Sequence, residues 1–261
     1  MAVKTLGSPY LGEVMQALID GDIVAFRCAA SVKEDEPEEL AIYRVDVLIQ
    51  QIIEATDATS MRVFVKGKGN FRYKIYPEYK ANRKDMVDPI WRESCHQHLL
   101  KAYEAEEAHG MEADDMMGIN QQEEGTVICS IDKDLLTIPG HHYNFVKVEH
   151  KHVSKQDGLR TFYKQMMIGD KSDNLIGVAG LGPKKSDKLI DHIDDEQEMF
   201  EVVYNKYEED AKRFVTNANC FWILQNPGEL WVKRQRLTLP SQCEQEVAQQ
   251  LEFMRSLSLI T

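Results

Sequence analysis

The stretch TVICSI, residues 126–131, carries no charge and no long polar side chain, and it stops against Asp132. Such a run cannot alternate a wet face with a dry one. As a strand it belongs inside a sheet covered on both sides, and sheets of that kind are mostly parallel because crossover helices supply the covers. ALID (17–20), MRVFV (61–65) and NFVKV (144–148) read as further strands, the first closed by Gly21 and followed by the helix-compatible IVAFRCAA. ELAIYRVDVLIQQIIEA (39–55) repeats apolar residues at three and four and reads as an amphipathic helix. Helices are also expected from Pro89 to about Glu107, from EADDMMGI (112–119) and over LRTFYKQMMI (159–168). The segment from Lys66 to Asp88 lacks periodicity and reads as a long loop.

After Gly169 the pattern changes. No convincing strand follows, GVAGLGPKKSDKLI (177–190) leads into helices, NPGELWVKRQRLTLP (226–240) reads as a turn and an extended wrap, and EQEVAQQLEFMRSL as a last helix. The expected architecture is therefore α/β, a mostly parallel sheet flanked by helices, followed by a helical C-terminal third. Ligands of such sheets sit beyond the carboxyl ends of the strands, where Asp20, Asp132 and Asp134 fall.

With 261 residues and 43% hydrophobic content the chain can bury a real core. No apolar run approaches the ~20 residues of a membrane span, and MAVKTLGSPYLGEV has no secretory layout, so a cytoplasmic chain without membrane partners is expected. The five cysteines form no CxxC pair and read as reduced, buried thiols. Formal charge is −12, yet Arg62, Lys66, Lys68, Arg72, Lys74, Lys80, Arg83 and Lys84 face only Glu78 over residues 62–84, a local +7. That segment is either a surface for an anionic ligand or a solvated loop.

Acidic residues recur at four separate places: Asp20; Glu112, Asp114 and Asp115; Asp132 and Asp134; Asp170 and Asp173. Singly, each has an ordinary account as a helix start or a turn. Jointly, carboxylates gathered in one place raise each other's pKa unless cations stand among them, and all-oxygen ligation suits Mg2+ or Mn2+. Two such ions are a device for phosphodiester hydrolysis. Asp22, one residue after Gly21, reads as an N-cap. The His96/His98, His141/His142 and His150/His152 pairs match no metal spacing and read as surface or structural, and the methionine pairs 116–117 and 166–167 as core.

LIDGD (18–22), YPEYKANR (76–83), EADDMMG (112–118), SIDKDLLTI (130–138) and GDKSDNLIGVAGLGPKK (169–185), in this order, resemble the 5' nuclease or flap endonuclease superfamily. The nearest kinds are bacteriophage 5'-to-3' exonucleases and the 5' nuclease domain of bacterial DNA polymerase I. The resemblance covers about residues 16–195 and implies a PIN-like catalytic domain (1–168) with a helical arch at about 66–110. It further implies a helix-three-turn-helix region with a C-terminal wrap (169–261). Residue by residue, it implies metal ligation by Asp20, Glu112, Asp114 and Asp132 at the more catalytic of two Mg2+ or Mn2+ ions. Asp134, Asp170 and Asp173 serve the second, and Asp115 also belongs to the carboxylate set.

Lys80 and Arg83 match the residues that neutralise phosphates during cleavage, and Tyr79 the one that stacks on an unpaired base; Tyr76 reads as a packed anchor. Gly180 and Gly182 let the backbone approach a phosphate or K+, Pro183 suits a first helical turn, and Lys184 and Lys185 add charge. The implied activity is a metal-dependent hydrolase of DNA with a 5' end or flap, or of RNA in a hybrid. It acts as a monomer alongside replication proteins, in the host cytoplasm if viral. One position departs: the family reads FDxKGxxFR where this chain reads FVKGKGNFR, with Val65 in place of the acid. A noncatalytic branched-DNA-binding protein is therefore the alternative, and a PIN-type ribonuclease acting on single-stranded RNA a third reading.

Overall fold

β1 (Met15–Asp20) exposes part of Gln16 alone, as a strand with a neighbour on each side and a cover on each face requires. In chain order there follow α1 (Gly21–Ala30), α2 (Glu38–Thr56), β2 (Ala58–Lys66), α3 (Arg92–Ala102), β3 (Glu106–Ala108), α4 (Ala113–Asn120), β4 (Thr126–Cys129), β5 (Gly140–Asn144) and β6 (Glu149–Val153). The strands form one sheet in the order β3-β2-β1-β4-β5-β6, parallel throughout except for the antiparallel β5–β6 pair. The computed structural model describes residues 15–83, 86–208, 210–233 and 237–256. MAVKTLGSPYLGEV, Lys84 of the basic stretch and Arg234–Arg236 of the late segment lie outside them.

The chain divides into two compact units. The first comprises Met1–Lys68, Val87–Lys133 and Pro139–Val153, and so contains the six-stranded sheet. Ile19, Val63, Val65, Val127 and Cys129 meet Val24, Ala25 and Cys28 of α1, Ala41, Val45, Ile49 and Ile52 of α2, and Cys95 and Leu99 of α3 in one apolar cluster. The spacing of four, four and three along α2 is what puts its residues on one face. Each Val, Leu or Ile among them contributes about 1.5–3 kcal/mol by leaving water. The junction of β1 and α1 admits only glycine: a Cβ on Gly21 would lie 2.6 Å from Val65 Cγ1 and 2.8 Å from the Phe64 carbonyl. Asp20, rather than Asp22, is the N-cap of α1, accepting from Ile23 N at 3.1 Å, and Asp22 sits inside the first turn. The last residue of the strand is itself the cap, with the helix starting at Gly21, which the expectation for Asp22 overlooked.

NFVKV is not a strand. Asn144 Oδ1 accepts from the amides of Val146 and Lys147 at 3.1 and 2.9 Å and turns the chain, so the β-prone valines form the loop between β5 and β6. The true strands carry the histidine pairs, with His141 opposite His152. That loop places Val148 at φ 56°, a left-handed conformation that costs a side-chain-bearing residue ~1–2 kcal/mol and a β-branched one the most. Val148→Gly is expected to raise the thermal midpoint by about 1–3 °C; a scanning-calorimetry shift downward would mean that the 69%-exposed Val148 side chain makes a contact worth more than the strain. The helix expected over Pro89–Glu107 is shorter, since the chain resumes as β3 beside β2.

The second unit comprises Gly69–Met86, Asp134–Ile138 and Ser154–Thr261. It holds α5 (Lys155–Ile168), a two-residue ladder of β7 (Gly169–Asp170) with β8 (Leu175–Ile176), α6 (Pro183–Ile190), α7 (Glu196–Lys206), α8 (Ala211–Phe221) and α9 (Ser241–Ser256). α5 packs against α6, α7 and α8, and Phe214 stands edge-on to Phe200, Tyr204, Tyr207 and Trp231 at the centre of an aromatic core. The segment read as a bare loop contains a helical turn, Arg72–Ile75, and a 3-10 turn, Ala81–Arg83. The small ladder depends on close backbone approach: a Cβ on Gly169, at φ 75°, would fall 2.4 Å from Gly177 N. The loop GDKSDN is thereby pinched at its base.

Candidate active site

In the first unit, Asp20 ends the central strand with 3% exposure. Its Oδ2 accepts from Ser130 Oγ at 2.6 Å, and the same Oγ accepts from Asp132 N at 3.0 Å. One hydroxyl thus joins the ends of two neighbouring strands. Burial pushes the Asp20 carboxyl up to about 7, and the charges of Asp22 and Asp132 add to the rise, against the lowering hydrogen bonds from Ser130 and Ile23. Burial also raises Asp22, opposed by the Lys66 amide and by Arg92 and His96.

Glu112 is the N-cap of α4 in a reciprocal capping box with Asp115, whose Oδ2 accepts from Glu112 N at 2.9 Å. Asp115 is fully buried, Asp114 is half-buried in the same turn, and α4 packs on β1 and β2. Ser130 was not singled out from sequence, although it is a hydroxyl placed directly after an apolar strand and two residues before an acid. Val65 is fully buried in the apolar cluster.

In the second unit, Asp134 opens a 3-10 turn and its Oδ1 accepts from Gln165 Nε2 at 2.8 Å. Asp170 Oδ1 accepts from Ser172 N and Oγ at 2.6 and 2.7 Å. Asp173 is held by Tyr79 OH at 2.8 Å, Arg83 Nη2 at 2.5 Å and Lys80 Nζ at 3.7 Å. The backbone is stitched alongside: Lys80 N donates to Asp173 O, Arg83 Nε to Ser172 O, and Asn82 to the Lys171 carbonyl. Lys80 itself sits at φ 56°, with its Nζ 4.9 Å from the centre of the Tyr79 ring. Strained conformations of this kind persist where the surroundings over-determine them.

Tyr79 does not offer a ring face for stacking. It is 2% exposed, because its hydroxyl is drawn to Asp173 and its ring lies under Lys80. Tyr76, read as the packed anchor, is half-exposed and donates to Glu78 at 3.3 Å. Two members of the basic stretch are structural. Arg72 is buried and donates to the carbonyls of Cys220 and Trp222, each at 2.8 Å, and Arg62 pairs with Glu106 at 2.7 Å. Gly180 adopts φ 74°, Gly182 caps α6 ahead of Pro183, Lys184 is exposed, and Lys185 Nζ donates to Gly180 O at 2.8 Å.

The donors are all carboxylate oxygens, and an Asp20 pushed toward neutrality by burial, with Asp22 and Asp132 adding to the rise, is what a hard cation relieves. The donor chemistry therefore fits a divalent ion. The side chains are nevertheless turned to the local partners just described, and among the described residues no group of three or more His, Cys, Asp or Glu is gathered as a ready-made ligand shell.

Residues 15–166 match the family of the 5'-3' exonuclease, N-terminal resolvase-like domain. The chain belongs to this family. DNA polymerase I of Bacillus caldotenax is 29% identical over 203 residues, 66% of this chain and 23% of the polymerase. The 5'-3' exonuclease of Buchnera aphidicola subsp. Schizaphis graminum is 26% identical over 201 residues, 67% of this chain and 69% of that protein. The chain spans about a quarter of the length of the DNA polymerase I relatives it matches. Among solved structures, a T5 protein co-crystallised with metal ions is similar at TM-score 0.63 and 18% identity, covering 91% of this chain and 98% of that one. The T5 flap endonuclease in a pseudo-enzyme–product complex with DNA and metal ions gives 0.57 and 18%, over 92% and 99%. These likenesses establish the PIN-like 5' nuclease fold, a mostly parallel sheet flanked by helices. No described helix is long and apolar enough to cross a membrane.

Proposed function

We propose that this member of the 5' nuclease family hydrolyses phosphodiesters of DNA near a 5' end or flap junction, with two divalent ions, leaving 5'-phosphate products. The observation that carries the reading is Asp20: a buried carboxylate at the end of the central strand, bridged through Ser130 to Asp132 and raised toward neutrality. Asp20, Glu112, Asp114 and Asp132 of the first unit would hold one ion, with Asp115 in the same carboxylate set, and Asp134, Asp170 and Asp173 of the second unit another. Bound there, Mg2+ or Mn2+ supplies Lewis-acid polarisation of the phosphate and a lowered pKa for the attacking water.

The chain's own residues do the rest. Ser130 keeps Asp20 and Asp132 in register. Lys80 and Arg83 rest on Asp173, and an arriving phosphate competes for the same cations, because a guanidinium binds phosphate as readily as carboxylate. DNA would thereby draw Arg83 off Asp173 as it seats, while Tyr79 keeps its hold on that carboxylate. Gly180, Gly182, Lys184 and Lys185 present backbone and charge to a duplex phosphate or K+. RNA in a hybrid is within reach of the same chemistry.

The alternative, a noncatalytic branched-DNA-binding protein, is favoured by one observation, the apolar Val65 where the family carries an acid. The deciding assay is a 5'-labelled flap duplex with Mg2+, with Mn2+ and with EDTA. Cleavage restricted to the metal-containing reactions is expected; tight flap binding without turnover in either metal would establish the alternative. Lys80→Ala and Arg83→Ala are each expected to slow single-turnover cleavage about 10²–10³-fold, the scale of losing one preorganised donor to developing charge, with the thermal midpoint little changed. Rates equal to the parent's would remove both residues from the reaction.

A further inference from the structure

α5 carries Gln165 to Asp134, where Nε2 donates to Oδ1 at 2.8 Å. The amide has one workable orientation, since turning it over would set its carbonyl oxygen against a carboxylate, two acceptors with no proton between them. Oε1 therefore points the other way. There it is buried and lacks a hydrogen-bond partner among the described residues. An acceptor in that condition is destabilising, and the next two residues of α5, Met166 and Met167, show that a fully apolar side chain is what this part of the helix otherwise buries. A glutamine here calls for a donor that the polypeptide does not provide.

Resting on the reading of Asp134 as a carboxylate that serves a divalent ion, we propose that Gln165 is a positioning residue for that ion. Its Nε2 fixes one oxygen of Asp134 so that the carboxylate is aimed and does not rotate. Its Oε1 accepts from water hydrating the ion. Mg2+ gives up its water reluctantly and keeps several molecules when bound by one or two carboxylates, so it brings the missing donor with it. Partners that orient a ligand in this way change metal affinity by about 10–100-fold. None of the motifs that mark the family signals this residue; only the orphaned oxygen does.

The test is Mn2+ binding to the full chain, by calorimetric titration and by the paramagnetic signal of the free ion. It compares the parent with Gln165→Met, Asp134→Asn and the double variant. Gln165→Met, near in volume but without polar ends, is expected to weaken one class of Mn2+ sites about tenfold and leave the other unchanged. In the Asp134→Asn background the same substitution should add little, because the oxygen it aims no longer binds. Gln165→Asn, one methylene too short to reach Asp134, should lose the same affinity and serves if the methionine variant does not fold. The Mg2+ concentration for half-maximal cleavage should rise by the same factor. Unchanged Mn2+ affinity in a folded Gln165 variant, or an equal loss with and without Asp134, overturns the proposal alone; a parent that binds no Mn2+ overturns it together with the metal-dependent function on which it rests.

Discussion

Asp20→Asn is expected to lower flap cleavage about 10²–10³-fold in Mg2+ while the metal-free protein becomes more stable at neutral and alkaline pH. The two effects separate because asparagine is as good an N-cap as aspartate, so the bond to Ile23 N survives, whereas the charge does not. The stability effect follows from linkage. Folding raises the Asp20 carboxyl from its ordinary 3.8 to about 7, so the folded state holds a proton that the unfolded state has released. Stability of the metal-free parent is then lost as pH rises from about 4 to about 7, and the loss is complete above that window. In EDTA the variant should match the parent near pH 4 and exceed it at pH 8 by up to about 4 kcal/mol. Thermal melts of both proteins across that range are the measurement. A variant less stable than its parent at pH 8 would show that the Asp20 carboxylate is already compensated by something other than a cation.

Val65→Asp, which restores the family's acid, is expected to damage the protein rather than improve it. Val65 is fully buried, packed with Val24, Val63 and the residues of α1, and Gly21 leaves no slack beside it. An uncompensated charge in such a place costs about 3–5 kcal/mol, a fall of at least about 6 °C in thermal midpoint, and added Mn2+ should not restore it. Recovery of stability on adding Mn2+, with faster cleavage than the parent, would instead make the end of β2 a ligand position in this chain. The departure at Val65 then becomes a lost ligand rather than a rebuilt core.

The layered α/β framework was legible because burial on both faces leaves no alternation to misread, as in TVICSI, and because the spacing along α2 fits one helical period only. What the sequence misplaced, it misplaced for local reasons. NFVKV has every mark of a strand except the asparagine at its head, whose side chain takes the next amides and turns the chain. β3 is three residues long, too short to carry a period. Tyr79 is the buried ring and Tyr76 the half-exposed one, and nothing in YPEYKANR tells which of them meets Asp173, a residue 94 positions from Tyr79. The acids themselves were visible as motifs. The groups that orient them, Ser130 and Gln165, were not, since a single hydroxyl or amide acquires that meaning only when the chain brings it to a carboxylate.

The most direct test of the account is anomalous diffraction from crystals of the parent protein soaked in Mn2+. Peaks bonded to carboxylate oxygens of Asp20 and Asp132 in the first unit, and of Asp134 and Asp170 or Asp173 in the second, are expected, with Asp20 no longer protonated at neutral pH. Full Mn2+ occupancy elsewhere, with Asp20 still closed on Ser130 and Asp173 still closed on Arg83 and no ion at either, would contradict it.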